Sequence, residues 1–139
     1  MRVCLDTNVF IAVMNREEDC EYCEAIMDAI DDGRIEGIVQ TLVITEVLVG
    51  YYKNKEYKLA DRFLACIARS YGIIPLDIKI SKLSAKLRAE YGVKLPDAIV
   101  VATAINFADR LITKDETLLH KFPNKVNTPK DFVERFLNF

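Results

Sequence analysis

Apolar residues in this chain fall alternately into short runs and helical stripes, which predicts strands interleaved with helices. Near the N-terminus the run Val3 to Leu5 meets Asp6-Thr7-Asn8 and resumes as Val9, Phe10, Ile11, Ala12, Val13 and Met14. That order reads as a buried strand, a polar turn and a helix. Asp19 to Asp32 sets Tyr22, Ile26, Met27, Ala29 and Ile30 among acids, an amphipathic helix stopped by Gly33. Gly37 to Gln40 is a second strand, and Thr41 is the expected cap of a helix through Leu42, Val43, Ile44, Val47, Leu48 and Val49. Lys55 to Tyr71 is a further helix, with Leu59, Phe63, Cys66 and Ile67 on one face.

Gly72 to Leu76 is a third strand, set at an edge by Pro75. From Asp77 to Tyr91, Ile80, Leu83, Leu87 and Tyr91 keep helical spacing. Leu95 to Asp109 is the most apolar helix, entered through Pro96 at its first position. Arg110 to Thr113 makes a fourth strand, and Thr113 with Glu116 reads as a capping box for a short helix. Val126-Asn127 is a fifth strand, and Thr128 opens a final helix carrying Phe132, Phe136 and Leu137.

Strands alternating with helices in this way imply an α/β fold with a parallel sheet, helices on both faces and right-handed crossovers. No repeat, linker or low-complexity segment interrupts it, so residues 1–139 are expected to form a single domain. The composition, 51% hydrophobic and 29% charged, is that of a globular chain, and no apolar run reaches the length of a membrane span. The N-terminus lacks the order of segments of a signal peptide, so a cytoplasmic location with four reduced cysteines is expected. Cys20 and Cys23 form a Cys-x-x-Cys pair, but zinc needs further ligands at suitable spacing. Only Cys4, Cys66 and His120 are left, scattered, so the pair reads as two small residues one helical turn apart.

The formal net charge of -2 hides an uneven distribution. Nine acids face two arginines between Asn15 and Glu36, whereas from Gly37 onward sixteen basic residues face eleven acids. Global charge therefore does not exclude a nucleic-acid partner, because local basic stripes set the electrostatic footprint. Lys79, Lys82 and Lys86, with Arg88 beside them, form such a stripe, readable either as an RNA-phosphate contact or as a solvated lysine face.

Four acids interrupt apolar surroundings. Asp6 follows the first strand, Glu46 lies on the helix after the second, Asp97 opens the helix into the fourth, and Asp115 follows the fourth. Asp6 or Asn8 could simply cap the following helix, and Asp97 beside Pro96 suits a helix dipole. Glu46 is the only charge between Gly37 and Tyr52, and a buried carboxylate there needs a cation or hydrogen-bond donors. Strand polarity lets all four converge at one edge of the sheet, where each close pair repels by about 4 kcal/mol at ~4 Å and an effective dielectric of 20. A bound cation resolves that repulsion, and an oxygen-only site suits Mg²⁺ or Mn²⁺.

At these positions the sequence resembles the PIN-domain ribonucleases, and among them the toxins of VapC type from type II toxin-antitoxin pairs. The matching motifs are Leu5-Asp6-Thr7-Asn8, Thr45-Glu46-Val47-Leu48-Val49-Gly50, Leu95-Pro96-Asp97-Ala98-Ile99 with Ala102-Thr103-Ala104, and Leu111-Ile112-Thr113-Lys114-Asp115, in order along nearly the whole chain. The resemblance implies a PIN-like sheet of strand order 3-2-1-4-5 and a catalytic, metal-holding set of Asp6, Glu46, Asp97 and Asp115, with Asn8 and Thr113 as polar supports. It further implies hydrolysis of RNA by a water activated on one or two divalent ions, displacing the 3′ oxygen and leaving a 5′ phosphate. A homodimer inhibited by a cognate antitoxin, whose flexible segment inserts a basic side chain among the acids, completes the expectation. His120 has no second histidine with which to share metal-independent acid-base work.

Other readings place Asp6 differently. A phosphatase of haloacid-dehalogenase type wants a second Asp where Asn8 stands, and a phosphorelay receiver wants an acid pair after the first strand, where this chain offers one acid. A PIN domain serving RNA maturation, or only RNA binding and assembly, is the alternative within the resemblance.

Overall fold

The computed structural model describes residues 1–137. Its strands are β1 (Arg2–Leu5), β2 (Glu36–Gln40), β3 (Tyr71–Ile74), β4 (Arg110–Ile112) and β5 (Val126–Asn127). Its helices are α1 (Thr7–Met14), α2 (Cys20–Asp31), α3 (Thr41–Lys53), α4 (Tyr57–Ser70), α5 (Ile78–Tyr91), α6 (Leu95–Phe107), α7 (Glu116–Lys121) and α8 (Pro129–Phe132), with a π-helical turn over Val133–Leu137. Every strand pair is parallel, and the order is β3-β2-β1-β4-β5. This differs from the 2-1-3-4-5 order of phosphorelay receivers, which removes that reading.

The short apolar runs are the strands because both faces of the sheet are covered, so no polar alternation is needed. Val3, Cys4, Leu5, Val39, Leu111 and Ile112 are fully buried. Helix α6 lies across β1, β2 and β4, with α5 outside it. Seven consecutive buried residues, Ala98 to Ala104, explain why α6 shows no polar face. On α2, Ile30 approaches β2 so closely that a Cβ on Gly37 would stand 2.7 Å from its Cδ1 and 2.9 Å from its Cγ2, so any larger residue there would force the Ile30 side chain to move.

Several local expectations need correction. Gln40, not Thr41, caps α3, accepting from the Leu42 N–H at 3.0 Å, and Pro96 is the second residue of α6 rather than the first. The helix expected from Lys55 starts at Tyr57, because Lys55 takes a positive φ of 58°, and Tyr71 belongs to β3. The buried stripe of α4 is Ala60 and Ile67 with half-buried Phe63, while Leu59 is exposed. The final helix is one turn of α-helix running into the π-helical turn. Cys20 and Cys23 are free thiols on α2.

Candidate active site

Strand order runs outward from β1 in both directions, so the crevice between the ends of β1 and β4 is the switch point of the sheet, where open α/β folds bind ligands. The β1–β4 register pairs Leu5 with Ile112. One residue further along each strand, Asp6 and Thr113 stand side by side. The Thr113 hydroxyl donates to Asp6 Oδ2 at 2.8 Å, and both residues are buried. Asp6 also caps α1, accepting from the Thr7 N–H through Oδ1 at 2.8 Å. Capping and a place in the crevice are thus not rival readings of Asp6, since each oxygen has its own task.

Thr113 is the hub. Besides donating to Asp6, its oxygen accepts from Asn8 Nδ2 at 2.9 Å and from the Asp115 N–H at 3.1 Å, which uses its single proton and both lone pairs. Asn8 Oδ1 accepts in turn from the Lys114 N–H at 2.9 Å. Asn8 therefore staples the turn after β1 to the turn after β4. This network replaces the expected Thr113–Glu116 capping box: Asp115 caps α7, accepting from the Thr117 N–H at 2.9 Å. The Lys114 ammonium is drawn aside by Glu17 at 2.9 Å.

Glu46 is exposed rather than buried, because α3 turns that side outward, so no buried charge there calls for a cation. Its Oε1 accepts from the Thr7 hydroxyl at 2.6 Å, which ties α3 to the start of α1. Asp97 is half-buried in the first turn of α6, and its carboxylate makes no hydrogen bond among the described residues. Burial pushes the Asp6 carboxyl up to about 6; the Thr113 and Thr7 donors pull it down, while Asp97 and Glu46 push it up. Asp97 is raised as well, first by burial and then by Asp115, with Glu46 adding and Lys94 opposing. Asp6 and Asp97 thus each feel the charge of other acids in the set.

The shift in Asp6 sets a sign for stability. Below the ordinary carboxyl range both folded and unfolded states hold the proton, and above pH 6 neither does. In between the folded state holds more protons, so stability falls as pH rises through this window, by about 3 kcal/mol for a shift of this size. Asp6→Asn lacks this titration but loses one hydrogen bond, since an amide cannot accept from both Thr113 and Thr7. The variant's stability relative to the parent should therefore climb between pH 4 and pH 7. Chemical denaturation at each pH measures the difference, and a flat difference would show that Asp6 is not held above its ordinary range.

Not all predicted site residues meet here. Arg88 donates from Nη1 to the Val93 carbonyl at 2.9 Å and so braces the α5–α6 turn. Lys79, Lys82 and Lys86 are exposed and line a shallow depression with Leu83 and Asn106. Asn106 lies nine residues beyond Asp97 along α6, about 13 Å at helical rise, so the stripe lies toward the other end of that helix. Sequence reading missed Thr7 and Gln40. Gln40 is fully buried and donates to Thr103 Oγ1 at 3.1 Å, fixing the end of β2 against α6. A polar residue ending an apolar strand was the available signal.

A five-stranded parallel sheet of order β3-β2-β1-β4-β5 with helices on both faces, and with Asp6 buried at its β1/β4 switch point, defines an open-sheet α/β protein. The chain belongs to the PIN domain family, whose model matches residues 3–123. Among solved structures it resembles a toxin-antitoxin complex from Klebsiella pneumoniae, 27% identical, with a TM-score of 0.72 over 91% of this chain and 97% of that one. It also shares its fold with VapBC2 from Rickettsia felis bound to a promoter DNA fragment, 20% identical, with a TM-score of 0.71 over 92% and 98% of the two chains. An uncharacterised protein of Archaeoglobus fulgidus is 44% identical over 62 residues, 45% of this chain and 98% of that protein. No helix among the described residues is long and apolar enough to cross a membrane.

Proposed function

We propose that this chain is a divalent-metal-dependent ribonuclease and the toxin of a toxin-antitoxin pair, with Asp6, Glu46, Asp97 and Asp115 as its catalytic carboxylates. The observation that carries the reading is Asp6: a buried carboxylate at the switch point, raised by burial and by two further acids. Membership of the PIN domain family and likeness to a toxin-antitoxin complex support it.

The residues fit a hard cation by chemistry more than by ready geometry. Among the described residues no three His, Cys, Asp or Glu side chains are gathered tightly enough to hold an ion as they stand. Yet the set is all oxygen, Asp97 has both oxygens uncommitted to hydrogen bonds among the described residues, and burial first, with repulsion from neighbouring acids adding to it, raises Asp6 and Asp97. Such a set suits Mg²⁺ or Mn²⁺, which favour a few carboxylates with water and phosphate filling the rest. When bound, the ion supplies Lewis-acid polarisation of a phosphate oxygen and a more acidic water. The chain's own part is positional: Thr113 and the Thr7 amide fix both Asp6 oxygens, Asn8 locks the two turns together, and Thr7 holds Glu46 toward the cleft.

A single small nuclease needs restraint, and a cluster of carboxylates is a socket for an Arg fork. The proposed antitoxin places such a side chain among the acids, in competition with the ion. A homodimer and a cytoplasmic location belong to the same proposal.

Purified protein incubated with single-stranded RNA should cleave it in Mg²⁺ or Mn²⁺ and leave 5′ phosphates, with no cleavage in EDTA. Undiminished cleavage in EDTA would overturn the metal reading. RNA binding without cleavage under any metal would return the chain to a binding or assembly role.

A further inference from the structure

Beside the acids lies a cavity of about 220 Å³ lined by Gly92, Val93, Lys94, Asp97, Asp115, Thr117, Leu118 and Lys121. Its lining combines two carboxylates, Asp97 and Asp115, with two lysines, Lys94 and Lys121. Its shape is built by the turn between α5 and α6. Gly92, at φ 68°, ends α5 in the left-handed region, which turns Val93 inward and Lys94 outward. Three contacts then hold that turn. Arg88 donates to the Val93 carbonyl, Lys121 Nζ donates to the Tyr91 carbonyl from α7, and the Tyr91 and Phe122 rings sit 4.9 Å apart.

Those contacts engage most of the local cations without neutralising all of them. Arg88 and Lys121 each donate to one backbone carbonyl, and Lys114 is paired with Glu17. The Lys94 ammonium alone among these four cations has no hydrogen bond or ion pair among the described residues, although Asp97 senses its charge. An unpaired ammonium lining the same braced cavity as two carboxylates suits an anion attached to whatever the carboxylates act on.

We propose that this cavity receives the nucleotide next to the scissile phosphate of a single-stranded RNA, with Lys94 contacting its backbone phosphate. The inference rests on the ribonuclease reading and deepens it by naming a binding subsite. Lys94 is a positioning residue for the substrate chain, not a metal ligand. Its loss should therefore weaken RNA capture and leave the chemistry of bound substrate nearly intact.

The test measures binding of a short fluorescent single-stranded RNA by anisotropy in EDTA, across a salt series, and then steady-state cleavage in Mn²⁺. Lys94→Ala should weaken binding about fivefold and lower the salt slope by about 0.7, the value for one phosphate contact on a single strand. KM should rise with kcat little changed, Lys94→Arg should restore most of the affinity, and Lys58→Ala on the distant α4 serves as the charge-matched control. If the parent cleaves RNA but Lys94→Ala keeps its affinity and slope, or falls no further than Lys58→Ala, the subsite is overturned and the ribonuclease reading stands. A parent that neither binds nor cleaves RNA overturns both.

Discussion

Asp97→Asn is expected to lower RNA cleavage by at least about 10³-fold, the rate equivalent of losing several kcal/mol of metal-assisted stabilisation. The same change should raise, not lower, the melting temperature of the protein in EDTA at pH 7. Asp97 accepts no hydrogen bond among the described residues and is raised by burial, Asp115 and Glu46, so an amide of the same shape removes repulsion and leaves no donor stranded. Asp97 lies in the first turn of α6, where a carboxylate also favours the helix dipole, worth about 0.3–1 kcal/mol. The two effects oppose each other, and both require the ionised carboxylate. As pH falls, Asp97, held above the ordinary carboxyl range, takes up its proton, and the difference between parent and variant should shrink toward zero. A sharp loss of stability at pH 7 would show that the acid serves the helix alone.

Thr113→Val should be the most damaging change of a residue outside the acids. The hydroxyl is fully buried and saturated, with one donation to Asp6 and two acceptances from Asn8 and the Asp115 N–H. An isosteric valine strands those two donors, each at about 1–3 kcal/mol. It also removes the donor that holds Asp6 down, so Asp6 should titrate still higher than its present value near 6. The expected outcome is a loss of about 2–5 kcal/mol on denaturation and cleavage whose pH optimum shifts upward. Thr113→Ser keeps the oxygen and should recover most of both. A valine variant with parental stability and an unmoved pH profile would remove Thr113 from the site.

The sheet could be read from the chain because its strands are buried on both faces and its helices are striped. Val3 to Leu5 and Leu111-Ile112 are apolar runs too short for helices, and Pro75, which falls just past the end of β3, pointed to an edge strand, which β3 is. The acids were legible as interruptions of apolar context, and their family motifs gave the sheet order. Less legible were the partners, because they come from register. Nothing in the spacing of residues 6, 7, 8, 46 and 113 says that Thr113 donates to Asp6 or Thr7 to Glu46; the parallel pairing of β1 with β4 and the path of α3 decide it. The capping assignments failed for a related reason. Thr41 and Thr113 have the right side chains, but Gln40 and Asp115 stand one position earlier or two later with extended backbone, and they took the role. Helical periodicity puts Lys79, Lys82 and Lys86 on one face but does not give their distance along it from Asp97, whereas Lys94, in the turn, lines the same cavity as Asp97.

The central claim, that the four carboxylates hold a hard divalent metal, is tested most directly by calorimetric titration of Mn²⁺ into the parent and into Asp6→Asn, Glu46→Gln, Asp97→Asn and Asp115→Asn at pH 6. The account predicts saturable binding by the parent with release of a fraction of a proton, since Asp6 titrates near that pH and the ion requires it ionised. Each variant should bind at least tenfold more weakly, and Asp6→Asn should also lose most of the proton release. Parental Mn²⁺ affinity in all four variants, or binding without proton release, would contradict it.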